Sequence, residues 1–411
     1  MKTSNVIFRR DRRNQGFTLI ELMVSMAIFL IISSAAFRLF RLQQNSASIL
    51  RDQVALNLSL RNAVTQLQLD VANAGSGYFQ GINIPSWPVG VTISNKVIAS
   101  GSSCYSSSTG AYGPTCFDQI NVIAAATPTT YPPVLVTDST GGTSPTLNCS
   151  DTSTGVAYTQ AAVVNGTAWS LATTAAEFKR NDQLLFVNST GSQLTSVVLT
   201  ADASVSGSAV KLTFNATNSD GSNSVANDPL DITACDGKSP CTAAGSSGSL
   251  GVQFCAADYV IKLAPISYLV CAGPGSPSPC DQSSTSPDIQ DPKLERVVSN
   301  VATPIMDQVI GFRVGATIYN ATNDNSTDSY QYNSACYTTT PDPTNPCAYS
   351  GTATDVSYNF TLVRSVRASI IARTAPNWNA AYTYRNTFDQ GPYQVQGMAV
   401  VVNPRNMSMN D

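Results

Sequence analysis

From residue 17 to residue 37 the chain is apolar or small at every position but one, Glu21. These 21 residues, at ~1.5 Å each, would cross a bilayer core of ~30 Å as a helix. A carboxylate inside such a span costs roughly 3 kcal/mol on insertion scales. Arg38 and Arg41 follow and mark the outer interface. Beyond them Leu56, Leu60, Ala63, Val64, Leu67 and Val71 recur at helical spacing as one apolar stripe, with Asn57, Arg61, Gln66 and Gln68 polar between them. The first proline is Pro85, so nothing breaks a helix from Phe17 to about Ala74. Such a helix of ~58 residues would reach about 87 Å. Gly75-Ser76-Gly77 is a C-cap followed by a turn. The pattern predicts a helix whose first half lies in lipid or a fibre and whose second half lays its stripe on a β-domain.

After Trp87 the period changes. VGVTI, QINVIAAA, VLVT, DQLLFVN, LTSVVLT and AVKLTF are short, β-branched, partly alternating runs bounded by turn residues, and they read as strands. Residues 138–165 and 216–250 are rich in Ser, Gly and Asn with few large apolar side chains, and read as long loops or insertions. A second dense region starts near Lys293: LERVVSNVATPIMDQVIGFRVGA, then, after a Cys336–Cys347 loop, VSYNFTLVRSVRASIIART. Val366, Ala368 and Ile370 alternate with Arg367 and Ser369, predicting a strand with one wet face and structural or solvated arginines.

Composition sharpens this outline. Charged residues are only 12% of 411, which suits a turn-rich extracellular β-protein better than a cytosolic enzyme. Residues 1–16 carry Lys2, Arg9, Arg10, Arg12 and Arg13 against Asp11, a net +4; taken from the chain's −3, this leaves −7 for the rest. An acidic body makes nucleic acid an unexpected partner. All ten cysteines lie after residue 100, as expected of disulfides in an oxidising compartment. Close spacing suggests the pairs Cys104/Cys116, Cys235/Cys241, Cys271/Cys280 and Cys336/Cys347, leaving Cys149 and Cys255 to pair at long range. The predicted class is α+β: a long N-terminal helix on a large, disulfide-stapled, antiparallel β-rich head. The expected divisions are a basic leader (1–16), a membrane half of the helix (17–37), an extramembrane half (38–75) and the head (76–411).

Chemistry is sparse. The chain has no histidine, which excludes Ser-His-Asp and Cys-His nucleophile systems and histidine metal sites. There is no C-x-x-C and no phosphate-binding G-x-x-x-x-G-K-[ST] loop. The acidic stretches 218–231 and 323–329, with Asp220, Asp228, Asp324 and Asp328, miss the EF-hand spacing and read as solvated turns. No catalytic residue, metal or cofactor is expected.

A basic segment before an apolar run admits several readings. A signal peptide could be cut near Ser34-Ala35-Ala36, or the run could be a plain anchor; both call for an uninterrupted apolar core, and Glu21 contradicts both. The residues after the paired arginines do not support twin-arginine export. GFTLIE followed by an apolar run resembles the signal of type IV prepilins and pseudopilins. That resemblance implies cleavage between Gly16 and Phe17 by a prepilin peptidase, methylation of the new Phe17 amine, and a docking role for Glu21. The acid, four residues beyond Phe17, would attract the N-terminal amine of a neighbouring subunit. Two buried charges from different chains then offset each other and select the register of assembly. The leader's arginines would hold the precursor's N-terminus in the cytoplasm.

The junction LQLDVANAGSGYFQG, residues 67–81, resembles that of PilW-type minor pilins at Asp70, Ala74, Gly75, Tyr78 and Gly81. Val309, Phe312 and Val314, then Val363, Arg364, Val366, Arg367 and Ile370, are similar to late strands of the same family and of the type II secretion pseudopilin GspJ. Arg38 stands near where many major pilins carry a kinking proline, which argues for a minor subunit. The implied partners are the prepilin peptidase, other minor pilins and the major pilin, the inner-membrane assembly platform and membrane lipid. The implied location is single-pass in the inner membrane with a periplasmic head, then the pilus or cell surface. Two alternatives stay open: a GspJ-like pseudopilin, and a tip-displayed adhesin using the enlarged head.

Overall fold

The computed structural model describes residues 18–77, 89–94, 105–106, 111–112, 116–126, 133–150, 155–189, 194–214, 250, 253–271, 292–298, 301–320, 325–329, 362–376, 384–387, 390–404 and 406. The chain divides into two compact units, Met1–Ala55 and Leu56–Asp411. Helix α1 runs Leu19–Ala72. With neither proline nor glycine between residues 17 and 74, nothing interrupts its hydrogen-bond ladder. In the first unit its large apolar side chains are exposed, Leu19, Phe29 and Ile31 among them. It is the one described helix long and apolar enough to cross a membrane.

Within the second unit the last turns of α1 bury Leu56, Leu60, Ala63, Val64, Leu67 and Val71, the whole predicted stripe, together with Asp70. Full burial of a leucine such as Leu60 or Leu67 contributes about 1.5–3 kcal/mol, which is why these turns fold with the head. The helix stops one turn before the glycines. Gly75 takes a φ of 71° and Gly77 one of 81°, left-handed values that glycine adopts at little cost. The Gly75 N–H leaves the helix and donates to the Ile123 carbonyl at 2.9 Å.

The described strands of the head are β1 (Val91–Ser94), β2 (Tyr105–Ser106), β3 (Ala111–Tyr112), β4 (Gln119–Ala125), β5 (Val134–Thr137), β6 (Val156–Thr159), β7 (Val163–Val164) and β8 (Thr167–Ala168). After the short helix α2 (Leu171–Ala176) come β9 (Gln183–Val187), β10 (Leu194–Val198), β11 (Ser204–Ser206), β12 (Ala209–Thr213) and β13 (Tyr259–Cys271). The last are β14 (Lys293–Val298), β15 (Val301–Met306), β16 (Val309–Asn320), β17 (Asn325–Ser329), β18 (Leu362–Arg373) and β19 (Val395–Val402). An 11-stranded sheet has the path β1-β4-β13-β5-β6-β12-β11, with β9, β10, β14 and β15 joined off it. A four-stranded sheet has the order β17-β16-β18-β19. Paired strands are antiparallel, so an apolar N-terminal helix followed by a β-rich head fits the α+β expectation.

Strand β13 organises the large sheet. One side pairs with β9 from Tyr259 to Leu263 and then with β14 from Ile266 to Cys271. Pro265 falls between these two ladders, where that side makes no pair and a missing N–H costs nothing. The described residues form four buried clusters, the smallest being Leu269 with Val297. The largest joins α1 to β1, β4, β13 and the inner face of the four-stranded sheet, through residues such as Leu60, Ile93, Ile120, Phe312 and Ile370. A second gathers Phe186, Phe214 and Phe254, with ring centroids 6.1 and 5.5 Å from Phe186. The third holds Ile123, Leu185, Val187 and Ile261.

Two expectations need correction. Residues 138–165 are not simply loop: β6 and β7 lie there, and β6 sits between β5 and β12 in the large sheet. Its small residues, Ala157 and Thr159, are fully buried, so low side-chain bulk reflected close packing. The acidic stretch 323–329 contains β17, whose Asp328 is in register with Thr317. Cys149 and Cys255 form a disulfide across 106 residues, beside the bond from Ser150 N–H to the Phe254 carbonyl at 2.7 Å. Cys116 is disulfide-bonded. Cys271 ends β13, while Cys104, Cys235, Cys241, Cys280, Cys336 and Cys347 lie outside the described residues, as does most of 216–250.

Candidate functional site

Gly16 and Phe17, the expected cleavage and methylation positions, lie outside the described residues. The next residue, Thr18, caps α1. Thr18 is N-cap and Glu21 the third helical residue, and they bond reciprocally. The Glu21 N–H donates to Thr18 Oγ1 at 3.4 Å, and the Thr18 N–H donates to Glu21 Oε2 at 3.1 Å. The Thr18 hydroxyl also donates to Oε2, at 3.0 Å. This is a capping box, T-x-x-E, which satisfies orphan donors at the helix start. Such caps contribute on the order of 1 kcal/mol.

The box gives Glu21 a local role that its reading as a docking acid did not include, although the T-x-x-E spacing was legible in the sequence. Both side-chain contacts use Oε2, and no described residue donates to Oε1. The carboxylate is exposed at the first turn of an exposed apolar helix, held by its cap in a defined direction. An amine from another chain could bond Oε1 without dismantling the box.

At the other end of α1, Asp70 is 9% exposed and takes four contacts. The Tyr268 hydroxyl donates to Oδ2. Arg296 Nε donates to Oδ2 at 2.6 Å and Nη2 to Oδ1 at 3.3 Å, while Gln66 Nε2 donates to Oδ1 at 3.4 Å. Tyr268 sits on β13 and Arg296 on β14, opposite each other in register. Burial, reinforced by the Asp70 carboxylate, pushes the Tyr268 phenol well above its ordinary range. The hydrogen bond to Asp70 raises Arg296, against the opposing effect of its partial burial. Asp70 therefore ties the last turn of α1 to the centre of the large sheet. Sequence reasoning missed this because its partners are 198 and 226 residues away.

A second buried acid ties the two sheets. Asp118, 1% exposed, accepts from Arg313 Nη1 at 2.9 Å and from the Val314 N–H at 2.9 Å. Its own N–H donates to the Phe312 carbonyl at 2.8 Å. Among the arginines of the late strands, Arg364 and Arg367 are half-buried. Arg373 is 4% exposed, donates from Nε to Gln308 Oε1 at 2.8 Å and stacks 4.7 Å over the Tyr393 ring. These contacts order the head; none assembles a nucleophile with a base. Among the described residues no group of three or more His, Cys, Asp or Glu could hold a metal. Asp220, Asp228 and Asp324 lie outside the described residues.

Residues 11–37 match the prokaryotic N-terminal methylation motif. No curated protein and no solved structure matches the chain. The motif supports the pilin and pseudopilin class, and it covers the end of the basic segment and the apolar segment without reaching the β-rich region. It implies processing by a prepilin peptidase and assembly with pilus components. Motif and apolar helix together are consistent with a membrane-anchored protein that later enters a pilus.

Proposed function

We propose that the chain is a minor pilin of PilW type, cleaved after Gly16, methylated on Phe17, and inserted by α1 into a complex that primes a type IV pilus, at its tip. The observation that carries this reading is the methylation motif on residues 11–37, with Glu21 on the first turn of an otherwise apolar helix. In the membrane precursor the Thr18 cap lowers the cost of burying Glu21. In the assembling fibre the free amine of a neighbour's residue 17 bonds the open oxygen, and the docked pair fixes the axial register. The junction resemblance at residues 67–81 supports the PilW assignment. Similar late strands in GspJ support the second reading, a type II secretion pseudopilin. The size of the head favours a third, display of a tip adhesin.

Glu21→Ala tests the docking role. The variant should insert into the membrane normally and fail to enter fibres; unchanged incorporation would remove the pairing role. Deletion of the carrier strain's gene separates the readings: lost piliation supports the priming role, and lost enzyme export with intact pili supports the secretion role. Pili that form but do not attach support the adhesin.

A further inference from the structure

We infer that β19 is a docking edge, which pairs antiparallel with β19 of a second copy of this chain. β19 is the last strand of the β17-β16-β18-β19 sheet, and no described strand pairs with its outer side. Its backbone direction follows from its neighbours. The Thr374 N–H donates to the Gln394 carbonyl at 2.9 Å, and the Arg373 N–H donates to the Gln308 carbonyl at 3.0 Å. Backbone groups alternate sides along an antiparallel strand. Gln396, Met398, Val400 and Val402 therefore face β18, and Val395, Gly397, Ala399 and Val401 turn their N–H and carbonyl groups outward.

Exposed edges are ordinarily blunted by charge, proline or a bulge. The edge strand β15 has such devices, with Pro304 within it and a register shift opposite Leu294/Glu295. β19 has none of them. Its sequence, VQGMAVVV, carries no charge, and its pairing with β18 runs without a shift from Arg373↔Val395 to Val366↔Val402. Met398 and Val400 are only partly buried against the main core, leaving an apolar rim that an added strand would cover.

The occupant best matched to this edge is the same edge. Centred on Met398, antiparallel pairing sets Val395 opposite Val401 and Gly397 opposite Ala399, with Met398 opposite its own copy. No like charges meet, and the valines form favourable β-branched cross-strand pairs. The contact is isologous, so it closes as a dimer rather than a filament. A single added strand is marginal in dilute solution, so the pairing is expected where anchored copies share a membrane and local concentration is high.

The test uses full-length protein in its native membrane. Met398→Cys, oxidised with copper-phenanthroline, should give a homodimer on a non-reducing gel, dispersed by thiol. Adding Ala399→Pro removes one outward N–H while leaving the β18 ladder intact, and should lower the dimer at least tenfold. Adding Ala399→Glu instead, which sets charge on the edge, should do the same. Limited proteolysis of each variant monitors the fold, and should Ala399→Pro unfold the head, the Glu variant decides. Val301→Cys on β15 should give no dimer. Absence of the Met398→Cys homodimer, its persistence in the folded Ala399 variants, or cross-links to other proteins alone would overturn the inference.

Discussion

Replacing Asp70 by alanine should loosen the last turn of α1 from the head by an amount the structure bounds. The change strands the Arg296 guanidinium and the Tyr268 hydroxyl, both aimed at Asp70. Removing one member of a buried ion pair costs about 3–5 kcal/mol. The Arg296 side chain keeps 27% of its exposure and the Asp70 side chain 10%, so water recovers part of the arginine's loss and the low end, about 3 kcal/mol, applies. The folded unit Leu56–Asp411 is large, and at about 2.1 cal/mol/K of unfolding entropy per residue that corresponds to a fall in Tm of about 4 °C. Thermal unfolding of the mature protein in detergent, followed by near-UV circular dichroism, reads the tertiary change apart from residual helicity. Tyr268→Phe alone should cost about 1–2 kcal/mol. The double variant should cost at least about 1 kcal/mol less than the two singles together, because they share one carboxylate. An Asp70→Ala cost under about 0.5 kcal/mol, or strict additivity with Tyr268→Phe, would refute the anchoring role.

Two further predictions concern the head. The Tyr259 hydroxyl is buried without a hydrogen-bond partner, and burial, with Asp258 beside it, pushes its phenol up to about 12 from 10.0. The folded state thus holds this proton where the unfolded state has lost it: its contribution is fully present below pH 10 and is lost as pH rises toward 12. Tyr259→Phe should stabilise the head by about 1 kcal/mol at neutral pH and flatten the alkaline limb of a stability-versus-pH curve; an unchanged limb would contradict the assignment. Cys149→Ala with Cys255→Ala opens a link across 106 residues and should cost about 2–5 kcal/mol in urea unfolding; a loss below about 1 kcal/mol would show that the surrounding bonds hold the segment unaided.

The elements most legible in the sequence were those with a clean period. All six residues of the α1 stripe are buried, and the runs anticipated around β4, β5, β9, β10 and β12 are strands. The longest strand, β13, escaped notice because Pro265 interrupts its pattern, and only the hand-over from β9 to β14 shows why proline is tolerated there. β6 was obscured for the opposite reason, small side chains in a buried position. Asp70 is legible only as part of the junction at residues 67–81, and its pairing with Tyr268 and Arg296 is a tertiary fact that no local spacing encodes. Thr18 is different: its T-x-x-E relation to Glu21 is a local spacing and is readable in the sequence.

Intact-mass analysis of the membrane-extracted protein decides whether residues 1–16 are removed as a prepilin leader. The expected product is a mature chain beginning at Phe17 and carrying one added methyl group. A chain beginning near Phe37, or one that retains Met1 to Gly16, would contradict it.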